Sequence, residues 1–222
     1  MRFQDAAPDG RAVVYAGIQA DPLVARMATL LVQGTAAERW LARAVMNGER
    51  TDPATWRRVF PSLFGSAAAP ALRDHAGRVL DAGLEVANRG EAARSQYRGA
   101  VVEELTARLL ARRAASVRRE RRVLFDGVRA EIHPYDVTVE STARPEVYDC
   151  KWGARGINAD VLNQLDDAQA HAADEDVDLA VAIVVFDARR SCELRLERST
   201  AEHAATELVA LEGLDALAEK KA

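Results

Sequence analysis

Asp149 and Lys151 stand two residues apart in the run Val147-Tyr148-Asp149-Cys150-Lys151-Trp152, and Asp136 stands thirteen residues before Asp149. Side chains of a strand alternate faces, so Asp149 and Lys151 project together, with Tyr148, Cys150 and Trp152 on an opposite, apolar side. The same alternation in the preceding run sets Asp136, Thr138 and Glu140 on one face and Tyr135, Val137 and Val139 on the other. If these strands pair, the two aspartates lie side by side. Carboxylates held that close repel each other, and an opposite charge within about 4 to 6 Å is the usual way to keep both ionised. A divalent cation does this better than lysine alone, and hard oxygen ligands select Mg²⁺ or Mn²⁺ over zinc. Such a cation polarises a phosphoryl oxygen and lowers the pKa of a bound water. Lys151 beside it would hold or activate that water, or neutralise charge developing on the phosphorane. Standing alone, an Asp-x-Lys on a strand edge is equally a solvated ion pair worth about 0 to 1 kcal/mol.

The lysine is informative by its rarity. Of the 30 basic residues only Lys151, Lys220 and Lys221 are lysine, so 27 are arginine. In such a chain, the one lysine outside the carboxyl end marks a place suited to a compact point charge rather than a planar fork. The formal net charge is −4, so any electrostatic footprint for nucleic acid has to be local. Arg108, Arg112, Arg113, Arg118, Arg119, Arg121 and Arg122 form one such run; they suit phosphate contacts, and equally a solvated helix face and strand. His133 is open to the same two readings, while His75, His171 and His203 are dispersed and suggest no triad. Cys150 and Cys192 lack paired spacing and read as small buried hydrophobes, not as a disulfide framework or zinc site.

Apolar residues make up 49% of the 222 and charged residues 29%, which is enough to bury a core and argues against disorder. No apolar run reaches the roughly 18 residues that span a bilayer, and the start lacks a secretion-signal layout, so a cytoplasmic, membrane-free protein is expected. Residues 1–90 read as a helical N-terminal domain. Asp21-Pro22 and Asp52-Pro53 are caps followed by proline at the first helical position, Thr35 to Glu38 is a capping box, and an alanine-rich helix covers about 67–86. Asn88-Arg89-Gly90 marks a break. A helix over about 95–115 then leads into the period-two runs VRRERRVLF, VRAEIHPYDVTVE and EVYDCKW, with Asp126-Gly127 as a tight turn. Residues 159–171 read as helix and VDLAVAIVVF as a strand covered on both faces. CELRLE is expected to add an edge strand, and Ser199 to Glu202 to cap closing helices over 199–222. The fold class is therefore α/β, a mixed β-sheet flanked by helices.

HPYDVTVE followed by YDCKWG resembles the PD-(D/E)XK nuclease superfamily, whose pattern is an acid on one strand and acid-x-lysine on the next. That family usually places a glutamate on the preceding helix after a glycine and an apolar residue, and Gly99-Ala-Val-Val-Glu103-Glu104 matches, with Glu103 the better fit. It often carries a glutamine on the helix after the lysine, where Gln164 stands. The resemblance covers about residues 95–198. It departs in having tyrosine directly before Asp136, with Pro134 one position further back, and the shorter aspartate at 149.

The resemblance implies a restriction-endonuclease-like αβββαβ core over 91–198 and a Mg²⁺- or Mn²⁺-dependent endonuclease acting on phosphodiester bonds in DNA, in defence or repair, with RNA not excluded. Asp136, Asp149 and the Cys150 backbone carbonyl would hold the metal. Glu103 would bind a second metal or position water, Lys151 would serve the nucleophilic water, and Gln164 would contact substrate or order the site. The family's members often dimerise, so a homodimer is expected. The alternative is a catalytically inactive nuclease-like binding or scaffold subunit that docks on a partner ATPase or helicase, or on nucleic acid.

Overall fold

The computed structural model describes residues 1–6, 10–48, 52–129, 133–198 and 206–219. The chain divides into two compact units, Gly10–Leu105 and the pair of segments Met1–Asp9 and Thr106–Ala222.

The first unit is helical: α1 (Gly10–Gln19), α2 (Pro22–Gln33), α3 (Ala36–Asn47), α4 (Pro53–Val59), α5 (Pro61–Phe64), α6 (Pro70–Ala87) and most of α7 (Glu91–Leu110). Its starts follow the chemistry read from the sequence. Asp21 caps α2 by accepting from Leu23 N, Asp52 caps α4 through Ala54 and Thr55 N, and Thr35 and Glu38 form a reciprocal capping box on α3. The apolar stripes of α2, α3 and α6 meet in a core that includes Met27, Leu31, Leu41, Val45, Val79 and Leu80.

Asp21 does more than cap. Its carboxylate also accepts from Tyr97 Oη and pairs with Arg89 at 3.5 Å. The Tyr97 hydroxyl, then the Leu23 N–H, hold it below the usual carboxylate range against a smaller opposing effect of burial. A carboxyl with a depressed folded pKa contributes stability that is present at neutral pH and lost as pH falls through that folded value. Asp21→Ala is therefore expected to destabilise the protein at pH 7 by about 1 to 2 kcal/mol, as for a lost cap. Urea melts at several pH values would show the difference from wild type shrinking on the acid side.

The second unit is built on one sheet. Its strands are β1 (Arg2–Asp5), β2 (Val117–Phe125), β3 (Val128–Arg129), β4 (Tyr135–Val139), β5 (Glu146–Lys151), β6 (Ala180–Val185) and β7 (Glu207–Ala210), in the order β1-β2-β4-β5-β6-β7, with β3 paired to β2. Pairing is antiparallel from β1 to β5 and parallel from β5 through β7, so the sheet is mixed. Asp126 and Gly127 turn the β2–β3 corner with φ of 47° and 79°, the hairpin turn that Asp-Gly favours. Helices α8 (Ala159–Asp174) and α9 (Arg189–Leu196) flank the sheet. Leu162, Leu165, Ala168 and Ala172 of α8 pack on Val123, Val147, Val181, Ile183 and Val185. Among the described residues no helix is long and apolar enough to cross a membrane.

Two expectations about the end of the chain are corrected. CELRLE is part of helix α9, not an edge strand: Arg189 and Arg190 pair with Glu193 at i+4 and i+3, and of its alternating apolar residues only Cys192 is buried. In place of closing helices, residues 207–210 form β7 beside β6, and Leu211–Ala218 is a 3₁₀ helix burying Leu211, Leu214 and Leu217. The Ser199–Glu202 cap falls outside the described residues.

Candidate active site

Strands β4 and β5 pair with Val137 opposite Tyr148, Thr138 opposite Val147 and Val139 opposite Glu146. One residue beyond this ladder, Asp136 meets β5 through its side chain, at Cys150 N. On the other side of β4, the pairs Arg119–Val137 and Arg121–Tyr135 bracket Glu120 and Asp136. Three acids thus follow one another across three neighbouring strands.

The strict alternation expected along β4 breaks at Asp136. Tyr135 joins the core beneath α8, while Val137, two residues on, is buried outside that cluster. The neighbouring strand is distorted at the same level, with Glu120 held at φ 53°. That left-handed conformation in a residue with a side chain costs on the order of 1 to 3 kcal/mol. The distortion lets the Asp136 carboxylate accept from Cys150 N at 2.6 Å, tying it to the backbone between Asp149 and Lys151. Glu120 and Asp136 offer carboxylate oxygens within 4.8 Å of each other, so the two can share one cation.

Lys151 Nζ pairs with Asp149 Oδ1 and lies 4.0 Å from Asp136 Oδ2. Burial opposes the charge on this amine. The carboxylates of Asp136 and then Asp149 outweigh burial and hold the amine above its ordinary range, as an ammonium. Asp149 is 9% exposed, and burial pushes its carboxyl above the usual range despite the charges of Lys151 and His133. Its buried Oδ1 is the atom that meets the Lys151 ammonium.

Gln164, on α8, is engaged at both ends of its amide: Nε2 donates to His133 O at 3.0 Å, and Oε1 accepts from His133 N at 3.2 Å. The Tyr135 hydroxyl reaches the Gln164 carbonyl at 3.4 Å. These bonds tie α8 to the backbone that leads into β4. The His133 side chain is exposed beside it.

Glu103 belongs to the helical unit. It is buried on α7, where it accepts from Tyr15 Oη and from Gln19 Nε2 at 2.7 Å. A Cβ on Gly99, one turn back, would stand 3.0 Å from that tyrosine oxygen, so the glycine of the motif makes room for the bond. Glu104 is only partly buried. Cys150 is buried, with Sγ 3.6 Å from Thr106 Oγ1.

The arginine run is divided in its uses. Arg113 is buried in a two-pronged pair with Glu146 that also engages Tyr148 Oη at 3.0 Å, and Arg121 binds Glu140 and Asp5. These two are structural. Glu120 is not among the residues that the sequence singles out. Its one signal is that it is the sole acid among the arginines of β2. Compared with protein families, curated proteins and solved structures, the chain matches none.

Proposed function

We propose that this chain is a Mg²⁺- or Mn²⁺-dependent endonuclease that hydrolyses phosphodiester bonds in DNA, built on a core of the PD-(D/E)XK type. The observation that carries the reading is the ammonium of Lys151 set against the carboxylates of Asp149 and Asp136 at the end of β5. The succession α7, β2, β4, β5, α8, β6, interrupted only by the two-residue β3 and the 3₁₀ turn after β5, supports it, being close to the element order that the resemblance implies.

The donor set fits a hard cation. Glu120 and Asp136 supply oxygens close enough to share one, and burial pushes the neighbouring Asp149 carboxyl up even with Lys151 paired to it. A further positive charge at this place would offset the repulsion between the first two and favour the ionised form of the third. Asp136 and Asp149 would hold the ion with the Cys150 carbonyl, and Glu120 would be a further ligand. When bound, such an ion polarises the phosphoryl oxygen and acidifies water.

The chain's own groups divide the remaining work. Lys151, held as a cation, orients the attacking water and stabilises negative charge on the phosphoryl oxygens as it grows; its protonated state suits it to this better than to proton abstraction. Asp136 and Asp149 keep that ammonium in place. Gln164 fixes the approach to Asp136. Glu103 serves as the additional acid that the resemblance assigns to the preceding helix. The phosphodiester is bound by arginines of the run over 108–122, and two strands are cut by a homodimer.

The test is an assay of single-stranded and double-stranded DNA and of RNA with the purified protein in Mg²⁺, in Mn²⁺ and in excess chelator. Cleavage of DNA that requires the metal is the expected result. Binding to nucleic acid, or to a partner ATPase or helicase, without cleavage under any metal would favour the scaffold reading instead.

A further inference from the structure

The turn after β5 is anchored at both ends. Ala154 N donates to Asp187 Oδ2 at 3.0 Å, and the carbonyl of Ile157, which is 1% exposed, accepts from Arg195 Nε at 3.0 Å. Between these anchors the backbone closes a 3₁₀ turn, Ala154–Gly156, with Gly156 N donating to Gly153 O at 2.8 Å and Ile157 N to Ala154 O at 3.1 Å. The end of β5 is itself tied to the next strand, where Phe186 N donates to Lys151 O at 2.8 Å.

Gly156 rests against the lysine stem. A Cβ built on it would stand 2.9 Å from Cβ, Cγ and Cδ of Lys151 alike. Carbon atoms pack favourably only at about 3.5 to 4.0 Å. The backbone conformation of Gly156 is not left-handed, so a side chain would meet no torsional penalty there, and closeness to Lys151 alone calls for glycine. The three stem atoms are the near part of the side chain, which cannot swing aside while the ammonium stays between Asp149 and Asp136. The anchors at Asp187 and Arg195 stop the turn from retreating in its place.

We infer that Gly156 is the positioning residue for Lys151: its bare Cα lets an anchored turn close over the lysine stem and aim the ammonium at the two aspartates. A methyl group at 156 displaces the amine, although it touches neither acid nor any substrate.

The test is a double-mutant cycle of wild type, Gly156→Ala, Lys151→Gly and the double variant, read by thermal melting and by cleavage in Mg²⁺; glycine at 151 removes Cβ, Cγ and Cδ alike. The catalytic readout rests on the nuclease reading, and the melting readout does not. Gly156→Ala is expected to lower Tm by about 4 °C when Lys151 is present and by less than about 1 °C when residue 151 is glycine. In cleavage it is expected to lower kcat by about 100-fold, the scale of a misplacement of roughly 1 Å, with KM unchanged and with no further loss when added to Lys151→Gly. Equal Tm losses in the two backgrounds, or no loss in either, would overturn the inference. If wild type cuts no nucleic acid, the nuclease reading fails and the melting cycle alone decides the role of Gly156.

Discussion

Lys151→Ala is expected to lower the rate of metal-dependent DNA cleavage by about a thousandfold, the scale on which a preorganised charge at a reacting centre acts. The amine is placed for this. Burial alone would discharge it, yet Asp136 at 4.0 Å and the paired Asp149 keep it an ammonium, so its charge is in position before any phosphate arrives. Single-turnover rates with saturating enzyme check the effect, because they isolate the chemical step. Lys151→Arg is expected to rescue little. A guanidinium is planar and wider than an ammonium, and does not present the same compact point charge to Asp149 and Asp136. Substantial rescue by arginine would mean that any positive charge suffices, and that the rarity of lysine in this chain has no bearing on the site.

Asp149→Asn is expected to split activity from stability. Cleavage should fall by about a thousandfold or more, since the variant loses both a hard ligand and the partner of Lys151. In metal-free buffer the melting temperature should nevertheless rise. Burial raises the Asp149 carboxyl above its ordinary value, so the folded state binds that proton more tightly than the unfolded chain. Stability of metal-free wild type therefore declines as pH rises from the ordinary carboxylate range through the raised folded value, and the penalty is in full force above it. The amide carries no such charge, and its melting temperature should be flat across that window. Metal should reverse the order. A ligand at a hundred times its Kd stabilises a folded protein by about 2.7 kcal/mol, which wild type should gain from Mg²⁺ or Mn²⁺ and Asp149→Asn should not. A variant destabilised without metal would mean that the Lys151 pair outweighs burial, the reverse of the balance that raises the Asp149 carboxyl.

What could be read ahead of the structure was what neighbours in sequence decide. Asp21, Thr35 and Asp52 cap their helices because a side-chain oxygen two or three residues from an open N–H needs no distant partner. Asp126-Gly127 makes its turn for a similarly local reason. Bringing Asp136 near Asp149 needed only that two adjacent runs pair; β4 and β5 do pair, and both acids lie beside Lys151 Nζ. The failures are long-range. Cys192, Leu194 and Leu196 have the spacing of a strand, and the matter was settled elsewhere, by β7 taking the place beside β6 and by arginine–glutamate pairs at helical spacing. Glu120 could not be found by a period of two, because a kink at that residue turns the strand. Gly156 is not among the residues that the sequence singles out, and only the folded chain brings Lys151 against it.

Whether the acids and the lysine at the end of β5 make a metal-dependent phosphodiesterase is tested most directly with supercoiled plasmid. The protein is stripped of metal with chelator, and the plasmid is followed as Mg²⁺ is restored, for wild type and Lys151→Ala side by side. Nicked and linear DNA should appear with wild type as Mg²⁺ is added and not in chelator, and the variant should cut at a rate about a thousandfold lower. Cleavage that continues in chelator, or that proceeds at the wild-type rate without Lys151, would contradict a metal-dependent reaction centred on that lysine.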